Sequence, residues 1–307
     1  MKRGYIIAII ASVCWASLGV IGRFAYSTGI DTLTMVTGRA ASACILTGIY
    51  LFLFNRKALN INKCHLPHFL FLGCFGLAAN FLCYLSSIKY TTVATSSVLL
   101  YTYPAIVSIV SIFIFNEKLD TRKTLALIFT TLGCFLAVGA YAPNTLDLNI
   151  KGILYGIGTG LAMSFYTIYG KVLTKIYSSW TVSFWGFLFA TLVFIIIRPV
   201  SILNIFSASL YSLVLMFLLG LVPTLLAYGL YTVAVEDIGP SQAAITCTLE
   251  PVLASFFSFV ILKENMTLVQ WSGIFIVIAG VILIYMKTSD NPSASNNRVR
   301  DYINTGN

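Results

Sequence analysis

Apolar runs of about 20 residues, the length a helix needs to cross a bilayer, recur along the chain, each bounded by charge, proline or a turn cluster. Read this way, the sequence predicts ten spans, at 4–24, 33–54, 67–88, 92–115, 123–142, 152–174, 180–198, 209–234, 240–262 and 268–286. The first run follows Lys2 and Arg3 as a secretory signal would. It outlasts the roughly 7–15 apolar residues of such a signal and is kept as the first span. The end of the chain, Lys287 to Asn307, is rich in Asn, Ser and Thr with almost no apolar residues, and reads as a disordered tail.

The second half of the pattern repeats the first. Gly4 and Gly22 fall on Gly152 and Gly170, 148 residues later, and Arg23 falls on Lys171. Pro104, Glu117 and Gly133 fall on Pro251, Glu264 and Gly280, each 147 residues later. A weaker register of 144 pairs Gly76, Leu77 and Tyr84 with Gly220, Leu221 and Tyr228. Several matches at one spacing argue for duplication of a five-helix unit. This places a first unit at 1–146, a second at 147–287 and the tail at 288–307. Five is odd, so the second copy enters the membrane from the opposite side and the two are inverted.

Loop charge orients the ten spans. With the N-terminus inside, 13 of the 19 Lys and Arg lie on its side of the membrane and 5 on the other, Arg39 being inside the second span. The positive-inside rule then puts both termini in the cytoplasm of a multi-pass cell-membrane protein. That asymmetry accounts for the net charge of +9, so no nucleic-acid partner is expected. Composition agrees: 58% of the 307 residues are hydrophobic and 9% charged, against roughly 25% charged in a soluble domain. A water-soluble globule is excluded. Cys14, Cys44, Cys74, Cys83, Cys134 and Cys247 lie inside apolar runs, where they behave as small hydrophobes, and no disulfide framework follows.

The residues Trp15-Ala16, Arg39, Tyr103-Pro104 with Asn116-Glu117-Lys118 and Gly133, and Leu249-Glu250-Pro251 with Lys263-Glu264 and Gly280, carry a resemblance. On them the chain resembles the ten-helix, EamA-type branch of the drug/metabolite transporter superfamily, over residues 4 to 286. The resemblance implies an all-α integral membrane protein of ten helices in two inverted five-helix repeats. It also implies a small-molecule carrier with a cavity lined by the first, third, fourth, sixth, eighth and ninth spans. Members export or exchange amino acids and other metabolites, and some move drugs. The chain departs from its own repeat at one place: Tyr103 stands where the second copy has Glu250.

Few residues at membrane depth carry chemistry. Glu250 lies about ten residues into the ninth span, roughly 15 Å deep, and burying its charge there asks for a cavity, a partner or a proton. Three roles stay open for it: a contact to a substrate amine, a proton carrier, or a structural carboxyl. Arg39, roughly 9 Å deep, can snorkel outward, serve an outer gate or bind an anionic substrate group. Pro104 and Pro251 fall near the middle of their spans, where proline removes a hydrogen bond and makes a hinge. On the spans that the resemblance places around a cavity, Trp15, Asn80, Tyr84, Tyr101, Tyr166, Thr224, Tyr228 and Thr248 supply apolar surface with a few polar tips. Glu117 and Glu264 end their spans beside basic residues, as helix-end ion pairs or gate elements. Gly152, Gly156 and Gly160 form a stripe on one helix face, expected to be packing.

Other chemistries lack parts. Cys64, His65 and His68 share one loop without a second cluster, too little for a metal site. There is no Gly-x-Ser-x-Gly elbow or HExxH motif, and nothing resembling a filter loop. The reading is therefore not an enzyme and needs no cofactor. It is a secondary transporter of a small metabolite, an amino acid or related compound, working outward by alternating access. Multidrug efflux and metabolite uptake or exchange are the alternatives. A proton is the candidate coupling ion, the bilayer the obligatory partner, and monomer and homodimer are both open.

Overall fold

The computed structural model describes residues 2–141, 149–261, 263 and 266–286. Every regular element among them is helical. The first half comprises α1 (Lys2–Tyr26), α2 (Thr32–Phe54), α3 (Leu66–Phe71), α4 (Ala79–Tyr90), α5 (Val93–Leu100), α6 (Tyr103–Phe115) and α7 (Thr121–Ala137). The second comprises α8 (Ile150–Leu173), α9 (Ser179–Ile197), α10 (Val200–Phe206), α11 (Leu210–Gly220), α12 (Ala227–Ile238), α13 (Pro240–Thr246), α14 (Leu249–Ile261) and α15 (Leu268–Tyr285). The tail and Glu264 lie outside the described residues.

Helix starts follow local chemistry. Asp31, Thr92, Asp120, Ser178, Ser209 and Thr267 each accept a hydrogen bond from the backbone N–H three residues on, supplying partners that the first helical turn lacks. At the join of α12 and α13 the chain turns at Gly239, whose φ of 88° suits a residue without a side chain.

Among the described residues, eight helices are long and apolar enough to cross a membrane: Lys2–Ala25, Thr32–Phe54, Lys63–Tyr90, Val93–Phe115, Ser179–Ile197, Leu210–Ile238, Pro240–Ile261 and Leu268–Tyr285. The other two predicted spans are helical as α7 and α8. The first has only 17 residues, and the second dilutes its apolar content with Gly152, Gly156, Gly158, Gly160 and Gly170.

Two spans depart from regular α-helix in matching places. α3 passes into α4 through a π-helical segment, Leu72–Ala78, and α11 into α12 through another, Leu221–Leu226. In the second, Pro223 has no N–H to give, and the Thr224 hydroxyl donates to Leu219 O at 2.7 Å, five residues back. α10 is a short helix that the apolar pattern did not announce.

The two halves interlock. α1 packs along α12 and α14 of the second half, and α8 along α4, α5 and α6 of the first. A Cβ on Gly4 would meet Ile238 Cγ2 at 2.6 Å, and one on Gly152 would meet Thr91 Cγ2 at 2.3 Å. These glycines, matched 148 residues apart, seat each unit's first helix on the end of the other unit's third span. The expected stripe on α8 continues that seat, Gly156 under Leu99 and Gly160 under Thr102. α2 packs against α9, and α7 against α15.

The α7–α15 contact is reciprocal. A Cβ on Gly133 would reach Val277 N at 2.8 Å, one on Gly273 would reach Ala137 N at 2.5 Å, and one on Gly280 would reach Ala126 O at 3.1 Å. Backbone cannot move aside as a flexible side chain can. Gly133→Val and Gly280→Val should therefore each cost about 1–3 kcal/mol by overpacking, read as lower melting temperatures in detergent; wild-type melting would show that the pair has slack.

At the end of the molecule where α2 begins and α9 stops, Arg198 pairs with Asp31, while Asn204 of α10 donates to Thr34 Oγ1 at 3.4 Å. Burial works against the Asp31 carboxylate, but hydrogen bonds from Thr34 together with the Arg198 and Asn204 side chains outweigh it and hold its pKa below the usual range. A depressed folded pKa stabilises above the unfolded value, and that stability is lost as pH falls through the folded one. Asp31→Asn should lower the melting temperature at pH 7, with the gap to wild type closing below the carboxylate range; equal melting at pH 7 would remove the tie from the stabilising contacts.

Candidate functional site

The site is built where the two interrupted helices meet the first and third spans of both halves. The fourth span stops at Leu100 and restarts at Tyr103; the ninth stops at Thr246 and restarts at Leu249. Each break carries the same device. Thr102 Oγ1 donates to Leu99 O at 2.7 Å and Thr248 Oγ1 to Ile245 O at 2.6 Å. Their backbone N–H groups bend to the same carbonyls, at 3.3 and 3.2 Å.

Pro104 and Pro251 then fall in the first turn of the restarted helix, where a missing N–H leaves no broken bond. They are not mid-helix kinks, as the sequence had suggested. The interruption precedes each proline and is made jointly with a threonine. Thr102 was not among the expected residues, although a threonine two or three positions before each proline was visible in the repeat.

Around these breaks the expected residues form two groups. In the first, Tyr228 is buried at the centre, meeting Trp15 at 5.0 Å, Tyr166 at 5.4 Å and Phe81 at 5.7 Å between ring centroids, all near edge-on. Its hydroxyl donates to Asn80 Oδ1 at 3.3 Å, and Asn80 Nδ2 donates to Thr159 Oγ1 at 3.0 Å. Tyr166 joins Thr232 at 2.8 Å, and Tyr231 joins Thr167 at 2.9 Å. Each threonine also donates to a carbonyl four residues back, to Tyr228 O and Met163 O, which leaves its oxygen to accept from the tyrosine.

In the second group, the Glu250 carboxylate, half-buried in the first turn of α14, faces the Tyr101 hydroxyl at the other break. Tyr84 OH lies 3.4 Å from Ser97 Oγ beside them. Arg39 links the groups. Its charge reaches both Tyr228 and Glu250.

Arg39 does not snorkel. It is buried, its Nε donates to Thr224 Oγ1 at 2.5 Å, and its guanidinium lies 4.5 Å from the Phe81 ring centre. Thr224 can accept because its own proton goes to Leu219 O in the π-helical segment. Thr224 was among the expected residues; Phe81, Thr159 and Pro223 are parts of the site that the sequence reading missed. A proline inside an otherwise unbroken apolar span was the signal for the last.

The two ends of the cleft differ. At one end α6 packs against α13, and Tyr103 OH donates to Ala244 O at 3.3 Å. Glu117 pairs with Lys123 at 2.9 Å and sits over Gly239, while Lys171 Nζ donates to Glu236 O at 2.7 Å. At the other end α5 and α14 share no comparable packing, and a Cβ on Gly19 or Gly22 of α1 would meet nothing within 4 Å.

The two histidines expected in a loop lie in a 3-10 turn and in α3 and bind within the protein: His65 Nδ1 lies 2.7 Å from Tyr177 OH and His68 Nδ1 2.5 Å from Tyr169 OH. No group of three metal-ligating side chains occurs among the described residues.

Comparison with known proteins agrees with this architecture. The model of the EamA-like transporter family matches residues 2–139 and again 150–286. An uncharacterized inner membrane transporter of Salmonella typhimurium, YicL, is 26% identical over 292 residues, covering 92% of this chain and 95% of its own. An uncharacterized transporter of Archaeoglobus fulgidus is 28% identical over 212 residues, 66% of this chain and 70% of its own. A solved crystal structure superposes with a TM-score of 0.74 over 93% of this chain and 97% of its own at 17% identity, a likeness of fold alone.

Removing the acceptor of a buried charge costs more than a neutral hydrogen bond, about 1.5–3 kcal/mol. Thr224→Val keeps the side chain's shape and should lower stability by that amount, whereas Thr224→Ser should retain most of it. Indistinguishable melting of the two variants would separate Arg39 from the π-helical segment.

Proposed function

We propose, on the premise that this chain belongs to the EamA-like transporter family, that it is a secondary carrier working by alternating access between two inverted five-helix units. Ten spans with both termini in the cytoplasm fit this reading. The ends of the helices then sort as the loop charges require, with Arg3, Glu117, Lys123, Lys171 and Asp237 on the cytoplasmic side and Asp31 and Arg198 outside. The substrate proposed is a small metabolite, an amino acid or a related compound, moved outward. Units at 1–146 and 147–287 and a cytoplasmic tail at 288–307 belong to the same proposal.

The observation that carries the reading is the single acid and single buried base beside one aromatic basin at the helix breaks. Glu250 offers a partner for an ammonium, Arg39 for a carboxylate, and Trp15, Tyr84, Tyr101, Tyr166 and Tyr228 offer the apolar wall. The unequal ends support the mechanism. Closer packing of α6 on α13 than of α5 on α14 is the inequality expected of an outward-facing carrier with its cytoplasmic end closed. A multidrug carrier is the second reading, favoured by the amount of aromatic surface.

Flux into proteoliposomes tests the proposal. A carrier should show saturable uptake of a metabolite found by profiling overexpressing cells, accelerated by the same compound on the opposite side. Glu250→Ala should reduce that flux at least tenfold, the loss of one charged contact of about 1.5–3 kcal/mol. Linear flux without acceleration would sink the carrier reading.

A further inference from the structure

Each helix break frees the backbone carbonyl four residues before its threonine, one position out of step with the register of the prolines, and the chain answers the two unequally. In the second unit, Thr248 N–H turns to Ile245 O at 3.2 Å, so Ala244 O loses the donor that an unbroken helix would supply. Tyr103 takes its place: its hydroxyl donates to Ala244 O at 3.3 Å and so joins α6 to α13. In the first unit, Thr102 N–H turns to Leu99 O at 3.3 Å, which frees Val98 O in the same way. The residue that would serve Val98 O is the counterpart of Tyr103. Each precedes the matched proline, Tyr103 before Pro104 and Glu250 before Pro251. Glu250 already faces Tyr101 of that same break.

Inverted units exchange roles when a carrier turns over, so closing the outer end would bring α14 against α5 as α6 now lies against α13. Tyr103 always has a proton to donate to a carbonyl. An ionised carboxylate has none: it only accepts, and two oxygens without a proton between them repel. We propose that Glu250 is the outer seal of the carrier, closing on the Val98 carbonyl, and that it does so only when its carboxyl carries a proton taken from the outer water. The proposal rests on the carrier reading and adds to it the group that couples closure to pH.

The groups that bear on Glu250 fit a switch of this kind. Arg39 of α2 is the cation that acts on it. The hydroxyls of Tyr101, Tyr103 and Tyr228 and the thiols of Cys134 and Cys247 are the other titratable groups acting on it. Tyrosine hydroxyls and thiols ordinarily titrate well above Glu, so as the outer pH falls the carboxyl is the group expected to change charge.

Spin labels on Val93 at the start of α5 and Ile261 at the end of α14, in the full-length protein reconstituted in nanodiscs, report the outer gap by pulsed distance measurement. The wild type should shift to the shorter distance as pH falls, the closed-to-open ratio rising by up to about tenfold per unit, the ceiling for one proton. Glu250→Gln carries an amide N–H that can donate to Val98 O, and should hold the short distance at every pH. Glu250→Ala removes both the charge and the donor, and its distance should not respond to pH. A wild-type distance indifferent to pH would overturn the proposal, as would a Glu250→Gln variant that titrates like wild type. If Glu250→Gln does not fold, the wild-type titration alone still decides. Saturable, trans-accelerated flux with a pH-indifferent gap would sink this seal and leave the carrier standing. A pH-driven gap with only linear flux would do the reverse.

Discussion

A backbone carbonyl inside a bilayer has no water to turn to, and the interrupted helices of this protein are shaped by that constraint. A break in a membrane helix is tolerable only where something else meets the freed polar groups. At Thr102 and Thr248 a hydroxyl and a bent N–H both go to the carbonyl three residues back, and a proline follows where no N–H is missed. Each break still leaves carbonyls without their usual backbone donor, and the fourth and ninth spans must therefore lie beside residues that can reach them. The polar interior follows from this need as much as from any need to bind a substrate.

The same constraint explains why the first and third spans of the two halves interlock. A cleft lined by broken helices needs rigid walls, and apolar surface gives no net drive to pack helices in lipid, so close backbone contact must do it. Gly4 and Gly152 place the first helix of each half against the other half. Gly133, Gly273 and Gly280 bring α7 and α15 into backbone contact at the edge. The π-helical segments then re-aim the third and eighth spans, so that Asn80 and Thr224 both turn toward the cleft, where a hydroxyl on a loosened turn can hold a buried guanidinium.

The sequence made much of this legible because lipid writes long, simple signals. The ten apolar runs are helical in the structure, eight of them long and apolar enough among the described residues to cross a membrane, and matched glycines and prolines appear as close contacts and helix breaks. The direction of Arg39 was not legible. Its depth allowed it to point either way, and the choice is made by Thr224 and Phe81, one of them 185 residues away. Nor was the manner of interruption at Pro104 and Pro251 visible, because a proline read alone predicts a kink, and the threonine that converts the kink to a break acts through a hydrogen bond. α10 escaped notice because seven residues are too few to show a period.

Duplication leaves an energetic question that the unmatched residues answer. Two inverted copies of one unit would make inward-open and outward-open states of equal energy, so any preference must come from positions where the copies differ. Tyr103 opposite Glu250 is such a position at the seal itself. A tyrosine-to-carbonyl bond contributes about 1 kcal/mol, whereas enclosing an ionised carboxylate in the membrane costs a few. The difference acts in one direction, holding the α6–α13 end shut and the α5–α14 end apart, which is the state described. A bias of a few kcal/mol sets a population ratio of about a hundredfold, and a single proton or ligand group at Glu250 is enough to cancel it. In the alternating-access carrier proposed, that asymmetry is large enough to give a resting state and small enough to be undone in each cycle.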